Sequence, residues 1–103
     1  MYKLAFFVPE SHLESVKAAL FEQGAGKIGD YEHCCWQVLG EGQFRPTEGS
    51  QPFIGQFGCV EKVPEWKVEM VCKDELVPTL IATLKSSHPY ETVAYDVWKL
   101  ADF

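Results

Sequence analysis

The chain has 103 residues, 47% of them apolar and 14% aromatic, with nine basic and fifteen acidic side chains and a formal net charge of -6. That length supports one hydrophobic core and a single domain over residues 1–103, and the apolar share argues against disorder. The negative balance and the scattered lysines and arginines argue against nucleic acid or an anionic membrane surface as a partner.

Residues 2–8 alternate loosely and are aromatic and aliphatic, which predicts a first strand. The apolar run from Met1 to Val8 is too short for a leader and is broken by Pro9-Glu10. No later segment approaches the roughly 18 apolar residues of a membrane span, so a cytoplasmic protein is expected. A helix follows. Ser11 and Glu14 have capping-box spacing, Leu13, Val16, Ala19 and Leu20 form an apolar stripe, and Gly24 is a natural stop.

Residues 25–35 are turn-like. They include His33-Cys34-Cys35, where one thiolate plus His33 could serve a soft metal ion; equally, a cysteine there can be ordinary core beside an exposed histidine. With Cys59 and Cys72 the chain has four cysteines and no Cys-x-x-Cys pair, which fits free thiols in a reducing compartment. A second strand runs from Trp36 to Phe44. Its glycines, Gly40 and Gly42, suggest a bulge or a close backbone approach, and the pattern lacks the Gly-Lys-Ser/Thr of a phosphate-binding loop.

Arg45 to Gly58 forms a long connecting loop, a length that is usually functional or mobile. Phe53 and Ile54 within it either meet a partner or fold back over the sheet. Val60 to Cys72 is the clearest strand, with Trp66, Val68, Met70 and Cys72 on one face and Pro64 marking an edge-exposed start. Asp74 is expected to cap a second helix that buries Leu76, Val77, Leu80, Ile81 and Leu84. Pro89 ends that helix by disfavouring helical geometry at His88, and Ala94 to Leu100 reads as a last strand. The order strand, helix, strand, strand, helix, strand is the split βαβ, ferredoxin-like α+β arrangement, an antiparallel sheet with two helices on one face.

The chemistry concentrates at His88-Pro89-Tyr90-Glu91. An imidazole and a carboxylate three residues apart are suitable ligands for a divalent or transition metal ion, but two ligands leave a site open; the others would come from Cys34 or His33, or from a second subunit. The same four residues also make a well-formed turn. Tyr90 would then shape a pocket wall.

These stretches together resemble one family. They are Ile28-Gly29-x-Tyr31-x-x-Cys34, then Gly40-x-Gly42-x-Phe44-x-Pro46-x-x-Gly49-x-x-Pro52-Phe53-Ile54-Gly55, then His88-Pro89-Tyr90-Glu91 with Ala94-Tyr95-Asp96. They are similar to the small domain inserted in YqfO-type proteins, described as dinuclear-metal or GTP cyclohydrolase type 2-like. That insert is similar in fold to PII signalling proteins and to CutA, the divalent-cation tolerance protein. The resemblance implies a free-standing insert. The dinuclear site of the longer relatives lies in flanking parts, so none of its residues carries over. It also implies assembly through the sheet into a homo-oligomer, trimer or dimer, and a partner-contacting role for the loop that includes Arg45, Phe53 and Ile54.

The function expected on these grounds is a non-catalytic, oligomeric module that binds a small ligand or metal ion and regulates a partner, with His88 and Glu91 as the ligating pair. The competing reading is an interaction domain that partners a separate metal enzyme through residues 45–57. A small metal-dependent hydrolase is the least supported, because no nucleophile–base pair or complete metal triad is legible.

Overall fold

A computed structural model describes residues 1–103. Four strands and two α-helices alternate as β1 (Tyr2–Val8), α1 (Leu13–Glu22), β2 (Trp36–Phe44), β3 (Glu61–Cys72), α2 (Val77–Ser87) and β4 (Tyr95–Lys99). The strands form one sheet in the order β2-β3-β1-β4, antiparallel at every pairing. This is the expected ferredoxin-like topology, in which each crossover helix spans an intervening antiparallel strand.

The period-2 pattern decides which face is covered. Leu4, Phe6 and Val8 of β1 lie opposite Met70, Val68 and Trp66 of β3, and these side chains meet the helices. Val16 and Leu20 of α1 and Leu80 and Leu84 of α2 complete the core. The other sheet face carries no helix. β3 outruns β1, so residues 61–65 pair only with β2 and Pro64 faces an open edge on its far side. The β2–β3 arm extends past the end of β1, and the molecule measures 46 Å along its longest axis.

Gly24 ends α1 as expected, with φ at 104°. Its N–H bonds Phe21 O at 3.0 Å and that of Ala25 bonds Leu20 O at 3.2 Å, a Schellman closure that puts buried Ala25 against Leu20.

Three local expectations are corrected. Ser11 does not cap α1: a 3-10 turn over Glu10–His12 precedes the helix, and the Ser11 hydroxyl meets His12 Nδ1 at 2.8 Å instead. Asp74 does not cap α2 either. It lies in a second 3-10 turn, and its carboxylate takes the Met1 ammonium at 2.6 Å. In both places the chain enters the helix by way of a tighter turn whose own i→i+3 bonds satisfy the first amides. Finally, β2 contains no bulge, because its register with β3 runs unbroken from Trp36 opposite Glu69 to Phe44 opposite Glu61. Its glycines serve a different purpose, described next.

Candidate functional site

Where α2 ends, Pro89 forces His88 into extended geometry with ψ at 142°. The imidazole turns inward and is 7% exposed. Its Nε2 lies 2.7 Å from Phe7 O, and its Nδ1 accepts the Tyr90 N–H at 3.1 Å. A backbone amide can only donate and a carbonyl can only accept, so the pair of contacts selects the neutral tautomer protonated on Nε2. Burial lowers the His88 pKa, the bond to Phe7 O opposes that, and nearby His12 adds to the lowering. Both ring nitrogens are thus committed to backbone, which makes His88 a fastener between α2 and β1.

That fastening aims Tyr90 across the end of the sheet. Its ring packs 4.9 Å from His88, 6.2 Å from Phe53 and 6.3 Å from Phe44. The connecting loop folds down to meet it. Gln51 N–H points between the two oxygens of Glu91, at 3.1 and 3.0 Å, while Phe53 sets its ring edge-on to His12 at 5.6 Å. At the base of the loop, Arg45 Nε donates to Gly58 O at 3.1 Å and Gly58 N–H donates to Pro46 O at 2.8 Å. Phe53 and Ile54 therefore do fold back, although Phe53 keeps half its surface exposed.

Loop and turn together border an open cleft of about 330 Å³ on the helix-free side of the sheet. Phe7, Phe44 and Tyr90 form its apolar walls, and Arg45, Glu65 and Glu91 bring charge to it. The Tyr90 hydroxyl oxygen is buried with no partner of good hydrogen-bonding geometry. Glu65 forms no salt bridge. Burial first, and then the facing Glu65 carboxylate, push the Tyr90 phenol up to about 12. Burial likewise raises the Glu65 carboxyl above its usual range, and the nearby phenol partly offsets the rise. A Cβ at residue 42 would collide with the Glu65 carboxylate, so Gly42 is the space into which that side chain lies.

Of the residues singled out in the sequence, Arg45, Phe53, Ile54, Tyr90 and Glu91 meet around this one cavity, with His88 directly behind Tyr90. His33 and Cys34 do not join them. His33 stacks on Phe21 at 4.9 Å, and the Cys34 thiol faces Glu32 O at 3.8 Å. Cys34 N–H is tied to Gly26, which bonds Val71 O opposite Lys3, whereas His88 bonds Phe7. Four residue steps along β1, about 13 Å of strand, separate those anchor points. No three His, Cys, Asp or Glu side chains are grouped to hold a metal ion. Glu65 is the residue that sequence reasoning missed. The available signal was its pairing with Gly40, diagonal to Gly42, which only a fixed hairpin register reveals.

The sheet order, the helices on one face and the long β2–β3 connection define a CutA-like, PII-like α+β module. The periplasmic divalent cation tolerance protein CutA of Archaeoglobus fulgidus superposes with a TM-score of 0.71 at 15% identity, over 100% of this chain and 87% of its own. A Bacillus cereus protein related to NIF3 superposes with a TM-score of 0.84 at 40% identity, over 98% of this chain and 26% of its own. In sequence, the GTP cyclohydrolase 1 type 2 homolog of Mycobacterium leprae is 43% identical over 98 residues, 95% of this chain and 26% of the relative. The chain is a counterpart of the CutA-like segment of these YqfO-type, NIF3-related proteins, and it spans about a quarter of the length of the relatives it matches. No protein-family model matches it.

Proposed function

We propose that the chain is a non-catalytic, homo-oligomeric module that binds a small organic ligand in the cavity beneath the 45–57 loop and so sets the conformation of that loop. The observation that carries this reading is the cavity itself: aromatic walls, a few converging polar groups, and a buried Tyr90 hydroxyl whose one polar neighbour, Glu65, is not in good hydrogen-bonding geometry. The loop closes the cavity and also presents Phe57, 66% exposed, to the outside, so occupancy and partner contact act on one segment. The cytoplasmic setting belongs to the same proposal and is supported by four free thiols. No helix is long and apolar enough to cross a membrane.

A metal-binding version needs donors from a second copy, because one chain groups no three suitable side chains. The description of one CutA as a cation-tolerance protein supports that version only by likeness of fold. Metal content of the purified oligomer, read by mass spectrometry, separates the two versions.

The alternative, an interaction domain whose loop contacts a metal enzyme, is favoured by the exposure of Phe57 and Val60 beside the loop, and by the greater length of the relatives. The test is a fragment screen read by ¹H–¹⁵N NMR on the intact chain. Saturable shifts grouped at Phe44, Arg45, Tyr90 and Glu91 support a ligand module. Absence of any such group sinks it and leaves the interaction domain.

A further inference from the structure

Three charged groups line the cavity, Arg45, Glu65 and Glu91, and none of them forms a salt bridge, which leaves the lining with a net negative charge. Glu91 is engaged by the Gln51 amide, and Arg45 is held at the loop base through its Nε bond to Gly58 O. Glu65 has neither a salt bridge nor a hydrogen bond from a cation, although it is half-buried beside a buried phenol. A carboxylate drawn partly out of water with only a neutral phenol beside it, and no cation, costs stability, and burial raises its pKa. The fold nevertheless makes room for it: the missing Cβ of Gly42 is what lets the carboxylate lie against β2. Around it, Phe7, Phe44 and Tyr90 offer ring faces and edges. Aromatic faces attract cations, and a carboxylate pairs best with a planar, forked donor.

We propose that the cavity takes a small organic cation with a flat apolar body, of the aryl amidinium or aryl ammonium class, its charged nitrogens meeting Glu65 and its ring lying among Phe7, Phe44 and Tyr90. The Tyr90 hydroxyl, held protonated beside Glu65, gains a second polar neighbour in the bound state. The volume suits a single-ring ligand, and the net charge of -6 favours the approach of a cation over that of an anion. This inference rests on the cavity being a ligand site.

The experiment is an NMR titration of the intact chain with three isosteres: benzamidine, benzamide and benzoate. Benzamidine is expected to shift the amides of Gly42, Tyr90 and Glu91 saturably, and the other two to bind about tenfold or more weakly. Glu65→Gln should weaken benzamidine by a similar factor, and Gly42→Ala should do so without removing any charge, by displacing the carboxylate. Benzoate or benzamide binding as well as benzamidine, or undiminished benzamidine binding by Glu65→Gln, overturns the cation assignment and leaves the ligand site standing. No saturable shift at the cavity with any of the three probes overturns both. The comparison among probes on the unaltered chain holds even if a variant fails to fold.

Discussion

His88 joins the end of α2 to β1 through its Nε2, 2.7 Å from the carbonyl oxygen of Phe7, across 81 positions of sequence. The same ring accepts the Tyr90 amide, so a single buried side chain satisfies two backbone groups. Removing it orphans both. His88→Ala is expected to lose about 1–3 kcal/mol of stability, the range for leaving buried polar groups unpaired. Urea unfolding at pH 7.5 would measure this, and an unchanged midpoint would mean that water replaces the ring without cost.

The same geometry fixes a pH response. Burial holds the folded pKa of His88 below the ordinary 6.5, so between those two values the unfolded chain binds more protons than the folded one. Stability then rises with pH across that window. It is fully present above the unfolded value and declines as pH falls through 6.5 towards the folded pKa. Protonated Nδ1 would also present a hydrogen to the Tyr90 amide, so the decline should be accompanied by movement of Tyr90. His88→Gln should flatten this part of the stability profile; a slope that survives the substitution would assign the effect to another group.

Glu65 has the opposite sign. Its folded pKa lies above the ordinary value, so the folded state binds more protons between the two and this contribution favours folding as pH falls. At neutral pH the carboxylate is a liability to the fold. Glu65→Gln should therefore raise the urea midpoint at pH 7 and remove that acid-side gain. A stabilised protein that no longer binds its ligand is the usual signature of a residue retained for function at the expense of stability. A destabilised variant would show instead that Glu65 supports the hairpin.

How far the sequence disclosed these residues follows from what each interaction depends on. β1 and the buried face of β3 were legible because alternation of side chains is set locally, and Val68, Met70 and Cys72 are buried as that pattern requires. The end of α2 was legible because Pro89 acts on its immediate neighbour. The caps were misread because Ser11 and Asp74 carry the right side chains one 3-10 turn too early, a difference of backbone geometry that composition does not encode. The commitment of His88 Nε2 could not be read at all, since Phe7 lies at the other end of the chain. Gly42 was marked as a site of close approach or a bulge, but what approaches it, Glu65, required the register.

The loop is held by few bonds, and Glu91 supplies the long-range one. Because Glu91 is exposed, releasing that bond should open the loop locally and leave global stability nearly unchanged. Glu91→Ala is expected to speed hydrogen exchange at the Gln51 amide and proteolysis within residues 45–57. Glu91→Gln, which keeps one acceptor oxygen, should have a smaller effect. If neither variant changes exchange at Gln51, the loop is held by Phe53 packing on Tyr90 and His12, and Phe53→Ala becomes the variant that frees it.

The helix-free face of the sheet carries Trp36 and Val38 of β2 and Trp98 of β4, whose registers place them on the same side as Lys3 and Val71. Trp36 is 61% exposed and Trp98 41%. Large aromatics flanking one face of a sheet are expensive to leave in water, and a second copy of the same face is the covering that a homo-oligomer provides. Light scattering of the unaltered chain is expected to give the mass of a closed oligomer. Trp36→Glu and Trp98→Glu together should reduce it to one chain, because a carboxylate buried between copies without a partner costs several kcal/mol. The core on the opposite face is untouched by these changes, so far-ultraviolet circular dichroism should be preserved. A monomeric mass for the unaltered chain would leave this aromatic face to a different protein, and with it the search for a partner.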